Sequence, residues 1–194
     1  MQQSWRQDAD KLTFIACLPL SSSSATEASL SVSEDDDAPE RMIGDTNLFL
    51  RFDDDDDDDD NDTSEGGRVI GEIELMIAEK RNQGQGFGRG ALLTFLWYIA
   101  SHEGEILQEF VQSTAAAANS KKDRKMKCLS VKIGKDNARS LALFESLGFE
   151  KVSPEPNYFG EFELRRYGLD RDAVVKLADV YGLRYYREIG YSDE

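Results

Sequence analysis

Apolar positions along the chain fall into short runs with two periods. "KLTFIACLPL" (11–20) is rich in β-branched and aromatic residues and closes on a proline, which predicts a strand. "RMIGDTNLFLRF" (41–52) predicts a second. In "RVIGEIELMIA" (68–78) the period is two: Ile73, Leu75 and Ile77 point one way, Glu72, Glu74 and Met76 the other. The period then lengthens. "ALLTFLWYIASHEG" sets Leu92, Phe95, Leu96 and Ile99 at helical spacing. "CLSVKIG" (128–134) predicts another strand, and "DNARSLALFESLGFEKV" a helix with an apolar face of Leu141, Phe144 and Leu147. Asp136 or Asn137 caps its start and Gly148 stops it. "NYFGEFELRRYG" (157–168) and "DRDAVVKLADVYG" (170–182) add a last strand and a C-terminal helix. This order predicts an α/β (α+β) domain, an antiparallel three-strand meander followed by helix–strand–helix–strand–helix.

Two segments interrupt the meander. "SSSSATEASLSVSEDDDAPE" (21–40) and "DDDDDDDDNDTSEGG" (53–67) are polar and low in complexity, and neither buries enough apolar surface to offset the entropy of ordering it. They read as disordered acidic insertions in a domain over 1–168, with 169–194 a helical tail. The unbroken run Asp53 to Asp60 lacks the alternating ligands and the spaced bidentate Glu of a calcium loop, so it reads as a solvated tip and no metal is expected.

These insertions also account for the charge. The 194 residues carry a net −15, yet Ser31 to Gly67 alone holds 16 acids and 2 bases, leaving 22 acids and 21 bases elsewhere. A nearly neutral folded part argues against a nucleic-acid partner, which calls for a basic face. Cys17 and Cys128 make no disulfide framework. "ALLTFLWYIA" is about half of the roughly 20 residues that a membrane span requires. The N-terminus has no signal-peptide pattern. A cytoplasmic location without a membrane partner is the expectation.

The chemistry concentrates between the third strand and the long helix, where "QGQGFGRG" (83–90) places four glycines in seven positions. A strand, a glycine-rich turn and a helix start form an anion seat, because the first helical amides have no intrahelical acceptor and the helix dipole is positive there. A P-loop would need Lys-Ser or Lys-Thr after the glycines, and none follows. Gly86, Gly88 and Ala91 satisfy GxGxxA, but five residues, Glu79 to Gln83, separate strand from glycine, and the upstream strands read as antiparallel, unlike a dinucleotide fold.

Gln83-Gly84-Gln85-Gly86-Phe87-Gly88 matches Q/R-x-x-G-x-G/A, which resembles the pyrophosphate motif of the GNAT superfamily of N-acetyltransferases. "VKIGKDNARSLALFESLGFEKV" resembles that superfamily's second signature, an Asn that opens a helix ending in a Gly-Phe pair, here Gly148-Phe149. "MQQSWRQDADKLTFI", "MIGDTNLFL" and "GEIELMIAE", in this order, narrow the resemblance to the N-acetyltransferase 9-like family over Met1 to about Arg166.

The resemblance implies a GNAT acyl-CoA N-acyltransferase fold with a central mixed sheet, and acetyl transfer from acetyl-CoA, as co-substrate, to an amine of a protein or peptide. Tubulin is an acceptor attached to the animal member. Gly84 to Arg89 would seat the pyrophosphate, Met76, Ile77 and Ala78 would pair with the pantetheine arm, and Asn137, Ser140 and Phe144 match positions near that arm. Glu72 and Glu74, on the strand upstream, are equal candidates for the base that frees the amine. Two departures follow. Family members usually begin with a first strand and two helices ahead of the position of Met1, which cover part of the acceptor site; either the sequence is a shortened one or part of that wall is lost. A tyrosine that serves many members as general acid is Phe144, so the chain also reads as a CoA-binding or microtubule-binding module without turnover. Tyr158 is expected to fill the core, and His102 to be solvated at a helix end.

Overall fold

In a computed structural model of the 194-residue chain, residues 8–19, 35–36, 38–53, 69–113, 125–183 and 186–189 are described here. Both acidic insertions lie almost wholly outside these ranges. Six strands form one sheet: β1 (Lys11–Cys17), β2 (Met42–Phe52), β3 (Val69–Ile77), β4 (Met126–Gly134), β5 (Glu150–Lys151) and β6 (Glu161–Arg166). Their spatial order is β1-β2-β3-β4-β6-β5. The helices are α1 (Phe87–Ser113), α2 (Ala138–Ser146) and α3 (Arg171–Val180). β1 to β3 form the expected antiparallel meander, and β3 to β4 is the parallel step across α1. The mixed α/β class agrees with the sequence reading.

Alternation decides which face is covered. Leu48, Ile73, Leu129, Val131, Ile133 and Leu164 share one cluster with the apolar faces of all three helices. Phe14 of β1 meets Phe95 and Tyr98 of α1 edge-on at 5.6 and 4.8 Å. Glu72, Glu74, Ser130 and Lys132 alternate with these positions and so lie on the opposite face. Arg166 Nη1 donates to the Leu147 carbonyl at 2.7 Å and closes the end of α2.

The helices depart from expectation in instructive ways. α1 begins at Phe87, four residues before the apolar run, so Gly88 and Gly90 are helical. A glycine inside a helix costs about 1 kcal/mol against alanine. A Cβ on Gly88 would lie 3.7 to 3.9 Å from side-chain atoms of Leu75, Ile77 and Leu143, ordinary contact that leaves room for one. α1 also runs well past Gly104, through a kink at His102 (φ −119°, ψ 16°). His102 is therefore no solvated helix end. It joins Glu105 at 2.8 Å and Glu188 of the C-terminal segment at 2.9 Å. Tyr158 is 97% exposed rather than part of the core, because it sits at the tip between β5 and β6 beside the equally open Phe159. Among the described residues no helix is long and apolar enough to cross a membrane.

Candidate active site

The site begins where two strands part company. β3 and β4 pair from Val69 with Met126 to Glu72 with Ser130, with a shift between Val69 and Ile70, and no further. Beyond that point Ile73–Ile77 stays with β2, and Val131–Gly134 stays with β6. A wedge opens between them. Its β3 edge can be read residue by residue. The Ala78 N–H donates to the Ile43 carbonyl of β2 at 2.9 Å. Alternation then turns the backbone groups of Met76 and Ala78 toward β2, and those of Ile73, Leu75 and Ile77 toward the wedge. Of the three residues expected to pair with a ligand arm, Ile77 alone faces the opening with its main chain, and Leu75 and Ile73 continue that edge.

At the mouth of the wedge the chain makes a tight 3-10 turn (Lys80–Asn82) and enters the glycines. Gly84 and Gly86 have φ of +75° and +92°, a region that side chains with a Cβ rarely adopt. A Cβ at either would meet no protein atom within 4 Å, so both positions are open. The Gly90 N–H donates to the Gly86 carbonyl at 2.9 Å, which leaves the amides of Phe87, Gly88 and Arg89 without an acceptor inside the helix. The two glutamines act internally. Gln83 Nε2 donates to the Ile77 carbonyl at 2.8 Å and ties back the end of β3, and Gln85 Nε2 bonds the Arg81 carbonyl. Arg89 extends over the ring of Tyr181, 4.4 Å from its centroid.

α2 packs beside the start of α1, its Leu143 side chain 3.9 Å from the Cβ position of Gly88. Asn137 Oδ1 accepts from the Ser140 N–H at 3.2 Å, so Asn137, not Asp136, is the cap, and its side chain orders the helix start. Phe144 is buried and meets Phe149 edge-on at 5.1 Å. Glu72 is half-buried at the apex of the wedge, with Lys132 Nζ donating to its Oε2 at 2.8 Å. Glu74, two residues on, is exposed and paired in register with Asn47. Ser130, opposite Glu72, is buried, and its hydroxyl has no partner among the described residues. Burial pushes the Cys128 thiol up, which removes it as a nucleophile. Among the described residues no group of three or more His, Cys, Asp and Glu could hold a metal.

Sequence reasoning anticipated the glycine turn and the helix cap; Leu143 of α2 reaches within 3.9 Å of the Cβ position of Gly88, while Asn137 lines a separate hollow with Tyr158 and Phe159. Sequence reasoning did not find Lys132, whose only sequence signal was a cation alternating with apolar residues. It also missed a cavity of about 820 Å³ between β1, the first half of α1 and the segment 186–189. That cavity borrows Gln85, Gly86 and Phe87 from the glycine turn but nothing from β4 or α2.

No family model matches the chain. It is 38% identical over 149 residues to "Alpha/beta-tubulin-N-acetyltransferase 9" of Drosophila melanogaster, covering 77% of this chain and 55% of that one. It is 35% identical over 176 residues to an N-acetyltransferase 9-like protein of Schizosaccharomyces pombe, covering 84% and 73%. The human "Alpha/beta-tubulin-N-acetyltransferase 9" is 32% identical over 165 residues, with 85% and 59% covered. The chain thus spans little more than half the length of the Drosophila and human proteins. Among solved structures, a spermidine N-acetyltransferase chimera from Vibrio cholerae and hSSAT is 15% identical with a TM-score of 0.48, over 89% and 74% of the two chains. Arabidopsis thaliana NAA60 in complex with acetyl-CoA is 13% identical with a TM-score of 0.46, over 70% of each chain. At these scores the sequence relatives carry the weight.

Proposed function

The chain belongs to the N-acetyltransferase 9-like family, and we propose that it transfers the acetyl group of acetyl-CoA to an amine of a protein. The observation that carries this reading is the wedge between β3 and β4, open beside a glycine turn whose amides have no partner in the helix. The fit is physical. An arm with alternating amide groups matches a strand edge, and a doubly charged pyrophosphate matches free N–H groups at the positive end of a helix.

The amides of Gly84 to Arg89 would hold the pyrophosphate, with Gln83 and Gln85 keeping the turn in shape. Ile73 and Leu75 would offer their main chain to the arm and Ile77 its N–H, since its carbonyl already accepts from Gln83, and Ser140 and Phe144 would line its other side. Bound there, acetyl-CoA supplies a thioester carbon that an amine nitrogen can attack. Of the two carboxylates, Glu72 stands at the apex and Glu74 outside it, which favours Glu72 as the base. Glu72 takes a proton from the nitrogen as the carbon–nitrogen bond forms. The carbon–sulfur bond breaks with its electron pair on sulfur, and the proton held by Glu72 restores the thiol. Phe144 has no proton to give, so the carboxylate serves in both directions.

Tubulin is the acceptor to try first, since two relatives are named for it. A cytoplasmic setting suits that acceptor. The test combines binding and turnover. CoA and acetyl-CoA are expected to raise the Tm, and NAD is not. Acetyl-CoA with purified tubulin is expected to release CoA thiol and to leave an acetylated tubulin peptide by mass spectrometry. Binding without thiol release from either tubulin or a mixed peptide library would make the chain a CoA-binding module instead.

A further inference from the structure

The ion pair of Glu72 and Lys132 stands where the sheet comes apart. Pairing between β3 and β4 ends at Glu72 and Ser130, and Lys132 lies two residues past that point on β4. There its strand neighbour is β6, and the residue opposite it is Glu163. A cross-strand carboxylate is the natural partner for a strand lysine. Lys132 does not use it. Arg165 Nε holds Glu163 at 2.6 Å, and the ammonium of Lys132 reaches back over the opening to Glu72 Oε2 at 2.8 Å. Both groups are on the face opposite α1.

Stability does not explain the contact. The side chains of Lys132 and Glu72 are 43% and 21% exposed, and pairs so open to water add little to folding. What the contact does is geometric. A free glutamate spreads its carboxylate over many rotamers. One that bonds across the wedge is confined to the apex. Glu74 has no hydrogen bond or ion pair among the described residues and enjoys no such confinement.

We propose that Lys132 is a positioning residue of the acceptor side, which fixes the Glu72 carboxylate over the point where the strands part. The proposal rests on the acetyltransferase reading and adds a component to it. Proton transfer depends on the base standing within hydrogen-bond reach of the amine, so loosening the carboxylate lowers turnover without disturbing the cofactor seat.

A double-mutant cycle tests this, with acetyl-CoA and purified tubulin as the probe and thiol release as the signal. Lys132→Met is expected to lower kcat about 10-fold, and Glu72→Gln about 100-fold, the range in which a positioned base contributes. The KM for acetyl-CoA stays within about twofold in both, since the seat is untouched. Lys132→Arg, which keeps charge and reach, recovers most of the rate. Adding Lys132→Met to Glu72→Gln costs nothing further, because the lysine acts only through the carboxylate. Lys132→Gln stands in if the methionine variant fails to fold. An unchanged kcat in Lys132→Met, or in Lys132→Gln where it stands in, or a double variant whose loss is the product of the single losses, overturns the proposal and leaves the acetyltransferase reading intact. A parent chain that binds acetyl-CoA and releases no thiol overturns that reading, and this proposal with it.

Discussion

A methyl group placed on Gly44 would sit 1.9 Å from the Met76 carbonyl oxygen, whereas one placed on Gly86 would meet no protein atom within 4 Å. The two glycines serve different masters. Gly44 is in β2 opposite Ile77 of β3, and its bare Cα lets two strands close on each other. Gly86 holds a left-handed turn around empty space. The first glycine is required by the close approach of two strands; the second is required by its left-handed backbone and faces open space. A glycine's role is thus read from what surrounds the missing side chain.

The comparison breaks most visibly at the strand. Gly44→Ala must push β3 away at a backbone atom that cannot rotate aside. The expected cost is about 3 kcal/mol, the upper range for overpacking, or roughly 6–12 °C in Tm by circular dichroism. CoA binding should fall only in proportion to the unfolded fraction. Gly86→Asp should do the reverse. It adds a charge facing the pyrophosphate seat, so CoA binding drops below detection by calorimetry, while left-handed strain of about 1–2 kcal/mol leaves the protein folded. Glu79→Gln is the control: Glu79 is exposed and paired with Arg81, and binding should hardly change. If Gly86→Asp binds CoA like the parent, the seat lies elsewhere.

Smaller effects sharpen the contrast between structural and site residues. Hydrogen bonds that His102 donates to Glu105 and then Glu188 raise its pKa, and those donated by Tyr186 and then His102 lower that of Glu188. The histidine's contribution is complete below its unfolded pKa of about 6.5 and is lost as pH rises through the higher folded value. The Glu188 contribution is present above its unfolded value and is lost as pH falls through the lower folded one. The contact is therefore strongest between these limits. Segment 186–189 should exchange its amides faster at pH 8 than at pH 6, after correction for intrinsic rates. His102→Gln should remove that difference. Least of all, Ser130→Ala deletes a hydroxyl with no partner among the described residues, so stability should move by less than about 0.5 kcal/mol.

The sequence announced the meander, the glycine turn and the Asn137 cap because each rests on local pattern: alternation, φ > 0, a side chain bonding three residues on. It was silent where distant segments meet. Nothing in "VKIGK" says that Lys132 will bypass Glu163 for Glu72, since that choice is made by Arg165 on another strand. Alternation also could not show which backbone edge of β3 is already taken, so Met76 and Ala78 stood level with Ile77. Tyr158 misled because an aromatic in a strand-like run is ordinarily buried, and here the run turns at its tip. α1 was read too short at both ends, since glycines and the polar stretch around His102 mask a helix that tertiary packing sustains.

The register between β3 and β4 covers only four residue pairs, which makes the sheet two leaves on a short spine. A strand-like arm filling the gap needs the leaves about two strand spacings apart, near 10 Å. Among the described residues no backbone pairing spans the gap beyond Glu72 and Ser130, and the Lys132–Glu72 contact over it joins two flexible side chains. Beneath the spine, where the strands are still paired, Gly71 packs bare against Leu48, Leu129 and Met126, and an added Cβ would lie 2.8 to 2.9 Å from their side chains. The aperture is therefore a property of the core. Residues that never touch a ligand act as its calipers, and substitutions there alter how wide the leaves stand while every residue that lines the opening stays the same.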